Sequence, residues 1–185
     1  MEMSIGKPKI LTRRDLLWLF ATPIYQMIGT FRHEGAHAIA AWLEGARVTQ
    51  FVFWPSFQQD VLYWGFVRIS GTTDWFFLAA PYFFDMITFS IFFALTFLAP
   101  FRRKWIWLNL VIIGMISPLI NSLYNYWRSA GAINDINRLF QELPGGLVHA
   151  YFIINLTFYL VGIWGVVRYS RTARSLKGQP GKQTG

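Results

Sequence analysis

Phe31-Arg32-His33-Glu34-Gly35-Ala36-His37-Ala38 lies near the end of a long apolar stretch running from Leu16 to Leu43. Helical spacing sets His33 and His37 four residues apart on one face, where both imidazoles can share a cation. Glu34 follows His33 directly and is placed to take a proton from water held by that cation. The surroundings are apolar enough for lipid, where ionisable side chains are costly and usually functional. The chain has only three histidines, and two of them complete this pattern. A divalent cation is the most economical partner for three polar groups crowded into one helical turn. A zinc site inside a membrane is therefore the expectation, and a chance H-E-x-x-H is its competitor.

Composition supports that setting. Of 185 residues, 54% are hydrophobic, 19% aromatic and 14% charged, against roughly 25% charged in a soluble domain. Length allows one domain. The net charge of +8 raises nucleic-acid binding as a reading. The basic residues, however, cluster at the ends of apolar segments, as topology determinants and anionic-lipid contacts do. No basic face interleaved with aromatics is present, so no nucleic-acid partner is expected. The absence of cysteine excludes disulfides, thiolate zinc sites and a cysteine nucleophile.

The chain then divides as follows. Residues 1–14 form a polar, basic N-terminal segment, and residues 15–167 form the membrane domain. Residues 168–185 are a basic tail expected to be disordered. Thr12 and Asp15 read as a helix start, with a span over about 15–43 that Pro23 can kink. The apolar run is too long for a signal core, so it is expected to stay as the first helix. Gly45 terminates it. Two β-branched and aromatic runs, Arg47–Trp54 and Val61–Ser70, flank a Pro55–Asp60 turn and read as a β-hairpin over about 47–70. Its aromatics suit the membrane surface. Further spans are expected over about 74–99, 105–124 (interrupted at Pro118) and 147–167. A basic turn lies at Pro100–Lys104. A short amphipathic helix is expected through Ile133, Ile136, Leu139, Phe140 and Leu143. The fold class is thus an all-α integral membrane protein with about four transmembrane helices and a small β-hairpin after the first.

Orientation follows from the charges. With four spans, Lys7, Lys9, Arg13, Arg14, Arg102, Arg103, Lys104, Arg168, Arg171, Arg174, Lys177 and Lys182 fall on one side. Arg47, Arg68, Arg128 and Arg138 fall on the other. Basic loops stay cytoplasmic, so both termini are expected inside and the protein is multi-pass. Arg32, on a different face from His33, reads as reaching for the interface, with orientation of a carboxylate as the alternative.

The run His33-Glu34-Gly35-Ala36-His37-Ala38, then Ala40-Ala41-Trp42-Leu43, Gly45-Ala46-Arg47-Val48 and the strand to Phe53 resembles the site-2 protease family. Its members are zinc metalloproteases that cut within membranes. The resemblance is good from about Ile28 to Ile69. It implies Zn²⁺ as cofactor, Glu34 as catalytic base, and a third metal ligand, an Asp on or just beyond the third core helix. Asp135, in Gly131-Ala132-Ile133-Asn134-Asp135-Ile136, fits best, beside His33 and His37. The charge-derived topology brings the loop carrying it to the same membrane side as the histidines. The bland reading of Asp135 is a solvated residue on the polar face of the short helix.

Asp85 follows Ala80-Pro81, where the family often has Gly-Pro. It is either neutral and hydrogen-bonded in the packing or close to the site. Asn121 and Asn125 are candidate contacts to a substrate carbonyl or its oxyanion, and equally suited to knitting helices together. His149 opens the fourth span and reads as structural, while Glu44 and Glu142 read as solvated. The function expected is zinc-dependent endopeptidase activity on membrane-embedded or membrane-adjacent peptide segments. The alternatives are a non-catalytic zinc-binding membrane subunit and an ion-transport component. No sensor domain is visible, so regulation would need a membrane partner.

Overall fold

The computed structural model describes residues 13–58, 61–98, 104–131 and 134–177. Helix α1, Arg13–Leu43, passes through Pro23 without a break. Strands β1 (Arg47–Val52), β2 (Ser56–Gln58), β3 (Val61–Tyr63) and β4 (Phe66–Ser70) follow. Helix α2 is Trp75–Leu98 and α3 is Lys104–Val111. A π-helical turn, Ile112–Ile116, joins α3 to α4, Ser117–Arg128. Helix α5 is Asp135–Glu142, and α6 is Gly145–Lys177. Residues 1–12, with Thr12 and most of the N-terminal segment, residues 59–60 of the expected hairpin, residues 99–103 with most of the expected basic turn, residues 132–133 with Ile133, and residues 178–185 of the tail lie outside the described residues.

Among the described residues, three helices are long and apolar enough to cross a membrane: Trp75–Thr96, Ile106–Arg128 and Gly145–Tyr169. Helix α1 has the length, at 31 residues, but is not among them. Gln26, Arg32, His33, Glu34 and His37 lower its hydropathy. The expected count of four spans thus meets three qualifying helices.

Three sequence expectations are corrected. Pro118 does not interrupt the third span. It stands near the start of α4, where a missing N–H is tolerated, and the chain stays helical through the π turn before it. Residues 168–177 of the tail are helical, because α6 runs on to Lys177. The antiparallel hairpin is present, with a shorter turn than expected and its pairing divided into two short ladders. β1 pairs with β4 from Arg47↔Ser70 to Val52↔Phe66, and β2 pairs with β3 from Ser56↔Tyr63 to Gln58↔Val61. Residues 56–58, assigned to the turn by sequence, are paired. Pro55, which has no N–H to donate, lies in the gap between the ladders.

Two packing zones set the site. Ala36 and Ala40 of α1 meet Ala80 of α2, small residues that let helix backbones approach closely. Leu78, Ala79 and Tyr82 of α2 bury Ile136 and Leu139 of α5 together with Val148 and Phe152 of α6. The amphipathic α5 is thereby held against α2, which brings Asp135 to the end of α1 that carries His37.

Candidate metal centre

His33 and His37 occupy successive turns of α1, their ring centroids 5.0 Å apart. Asp135 is the first residue of α5. Asn134 caps that helix, its side chain accepting from the Asn137 N–H at 2.9 Å, and its Nδ2 donates to the Asn125 carbonyl at 2.8 Å. The cap therefore ties the start of α5 to α4. A carboxylate in the first turn also suits the positive end of the helix dipole.

The side chains converge across nearly a hundred residues of sequence. Asp135 Oδ2 lies 3.3 Å from His33 Nε2 and 3.2 Å from His37 Nε2. One ligand atom from each of His33, His37 and Asp135 falls within 4.8 Å of the others. His37 Nδ1 lies 2.8 Å from the Phe77 carbonyl. That carbonyl can only accept, so Nδ1 carries the N–H, and the Nε2 of the neutral ring presents a lone pair. A lone pair and a carboxylate oxygen 3.2 Å apart require a cation or a proton between them. Two imidazoles and a carboxylate are a zinc donor set that leaves a fourth position open, and the residues fit that ion.

Glu34 is buried and borders, with His33, a cavity of about 620 Å³ between α1, the π turn and α4. Thr30, Trp64, Asn121 and Asn125 also line it. Gly65 seats the hairpin on this wall. A Cβ there would fall 2.4 Å from Thr30 Cγ2, 2.8 Å from the Val52 carbonyl and 2.9 Å from Glu34 Cγ. Only glycine allows the approach.

The other candidates separate. Asp85 is fully buried and paired with Arg32 at 2.6 Å, and its second oxygen accepts from Asn121 Nδ2 at 2.7 Å. Arg32 therefore points inward to a carboxylate; a paired charge need not reach for the interface. Asn121 Nδ2 also lies 3.2 Å from His33 Nδ1. Asn125 Nδ2 donates to the Asn121 carbonyl and to its Oδ1, both at 3.0 Å. Both amides border the cavity, but their N–H groups are directed into this network. His149 is outside the cluster, 2.7 Å from the Tyr126 hydroxyl. Glu44, expected to be solvated, caps α2 from outside, accepting from the N–H groups of Asp74 at 3.0 Å and Phe77 at 3.1 Å.

Two contributors, the Phe77 carbonyl and Gly65, went unread in the sequence, as did the pairing of Arg32 with Asp85. The Phe77 carbonyl is a backbone atom and carries no residue signature. Gly65 could have been suspected as a glycine inside a strand run. Arg32 and Asp85 were each visible as an intramembrane charge, and such charges pair.

A family model described as Peptidase M50B-like matches residues 15–134. The match takes in His33, Glu34, His37, Asp85, Asn121 and Asn125 and ends one residue before Asp135. No curated protein and no solved structure matches the chain.

Proposed function

The chain belongs to the Peptidase M50B-like family, the site-2 protease group its motif helix resembles, and from that premise we propose a zinc-dependent endopeptidase. Its substrates are peptide bonds in membrane-embedded or membrane-adjacent segments. The observation that carries this reading is the approach of His33, His37 and Asp135 to within 4.8 Å, with the buried Glu34 beside them on the cavity wall.

His33, His37 and Asp135 would hold the ion. When bound, zinc supplies Lewis acidity, polarising the scissile carbonyl and making water a stronger acid. Glu34 takes the proton from the attacking water and delivers it to the leaving amine. Its burial keeps the carboxylate close to the reacting atoms and away from competing solvent. His37 is held by the Phe77 carbonyl, and that bond fixes the ring orientation. Regulation would come from a membrane partner.

A helical substrate hides its peptide bonds, so it has to be extended before cleavage. An edge of the hairpin, Val48–Phe53 or Val61–Ile69, offers backbone groups for strand addition. Proline or charged substitutions on that edge should then slow cleavage, and unchanged rates would sink the step. The topology that goes with this reading has α1 as a fourth span, both termini cytoplasmic and the site towards the opposite face. Tag accessibility on intact cells tests it.

The decisive experiment pairs metal content with turnover. Purified protein should carry one zinc, His33→Ala and Asp135→Ala should lose it, and Glu34→Gln should keep zinc while losing cleavage. Full zinc in both ligand variants refutes the site. An unaffected biological role for Glu34→Gln favours a non-catalytic subunit.

A further inference from the structure

The cavity beside Glu34 continues along α1, away from the hairpin. Thr22, Gln26, Thr30 and Glu34 line one wall, four residues apart and so in one polar row on the helix. Ile112, Ile116 and Ile120, each a turn apart on the π turn and α4, line another. The walls meet at Ser117. Its Oγ accepts from Arg32 Nη2 at 3.1 Å and would lie 3.1 Å from a Cβ on Gly29. At the far end the Tyr25 hydroxyl donates to Asn109 Oδ1, tying α1 to α3. Gln26 and Ile120 are both exposed, so the cavity opens between them.

Gln26 is a lining group that the proposed chemistry leaves without a task. It stands near the middle of α1, Arg13–Leu43, and its amide has no hydrogen-bond partner among the described residues. A polar side chain at membrane depth is costly when unpaired. A carboxamide offers both a donor and an acceptor. It can therefore bond together the C=O and N–H of one residue in an extended chain, which point to the same side. A helical segment presents neither group, because its backbone is paired internally. An unwound segment in lipid presents both and has no water to satisfy them.

We propose that Gln26 is a substrate-binding residue, pairing with the backbone of an unwound membrane segment that lies in this cavity. The isoleucine row takes that segment's apolar side chains, which alternate along an extended chain. The substrate class is thereby membrane-embedded segments, not membrane-adjacent ones. Gln26 and Glu34 are eight residues apart, about 12 Å along a helix. The paired residue then lies about three or four positions from the scissile bond. The inference rests on the proposed function in taking a membrane peptide as the ligand.

The test uses the full chain in detergent carrying Glu34→Gln, so that binding is read without cleavage. The probe is a synthetic leucine-rich transmembrane peptide with a central run of glycines that unwinds readily. The chain has no cysteine, so one thiol can be placed at will. Ile120→Cys should crosslink a cysteine in the glycine run at least tenfold more than Ile24→Cys, which is exposed outside the cavity. An uninterrupted polyleucine peptide should crosslink to neither. Gln26→Leu, which suits the membrane and keeps the fold, should weaken probe binding at least tenfold. Replacing single backbone amides of the probe by esters should weaken binding at one position, and that penalty should vanish in Gln26→Leu. Equal crosslinking from Ile24→Cys overturns the inference, as does an ester penalty that Gln26→Leu leaves unchanged. A Gln26 that only hydrates the cavity leaves probe binding unchanged in Gln26→Leu, and that result also overturns it. Cleavage of the same probe by the zinc-loaded wild type is measured alongside. Cleavage without ester coupling overturns the Gln26 pairing alone, whereas coupling without cleavage overturns the protease reading and leaves the pairing standing.

Discussion

Along α2, Phe77, Ala80, Tyr82 and Asp85 meet His37, Ala36, His33 and Arg32. One and two turns further on, Phe89 and Phe92 meet Tyr159 and Gly114. The first half is packed with small residues and filled by polar side chains whose positions are set by hydrogen bonds. The second half is packed by aromatic and aliphatic volume, with Met115 fully buried in it. Within a membrane, apolar groups gain little by leaving lipid for protein, so shape must hold the second half together. The first half is organised by directional contacts, which can orient a ligand. The comparison implies a division of labour: one end of the bundle presents chemistry and the other keeps the helices in place.

Substitutions can break that division. Glu34→Gln should give the largest effect, a fall in cleavage of about 10²–10⁴-fold from loss of the proton carrier, with zinc content and thermal stability near wild type. A parallel loss of stability would mean that the site end is also a structural keystone. Met115→Ala, at the other end, should destabilise by about 2–5 kcal/mol through the cavity it leaves. Zinc content should stay at wild type once the protein is folded, as metal analysis alongside detergent thermal denaturation would show. Zinc loss in that variant would join the two halves into one unit.

Gly65→Ala sharpens the boundary. Its Cβ meets the Val52 carbonyl as well as Thr30 and Glu34, so the hairpin must lift or Glu34 must move. Stability should fall by about 1–3 kcal/mol, and cleavage per folded molecule should fall too, unlike in Met115→Ala. Comparing turnover normalised to folded protein in the two variants decides this. Glu44→Ala should be the mildest, costing about 1 kcal/mol through two lost caps on α2. Cleavage should be close to wild type, because Glu44 holds the helix end and no reacting group.

Legibility followed the range of the interactions. His33, Glu34 and His37 were readable because helical periodicity is local, and four residues on one helix need no tertiary information. The three apolar spans were readable because hydropathy sums over neighbours in sequence. The tail from 168 to 177 was misread. Its basic, polar composition signals solubility but says nothing against the continuation of a helix already nucleated upstream. Arg32 was read as reaching for the interface, with orientation of a carboxylate as the alternative, and the carboxylate could not be named because Asp85 is 53 residues away.

The sequence by itself determined that this chain is helical and apolar, that it carries a two-histidine motif with an adjacent acid, and that a glycine and a hairpin follow. Each is written in spacing or composition over a few turns of chain. Only the tertiary structure decided that Asp135 meets His33 and His37, because that needs α5 buried against Leu78, Ala79 and Tyr82. It alone decided that Gly65 presses on Glu34 and that Asn121 stands between Asp85 and His33. These contacts depend on the angles and separations at which helices pack, and packing is a property of the assembled side-chain surfaces that no single stretch of sequence carries.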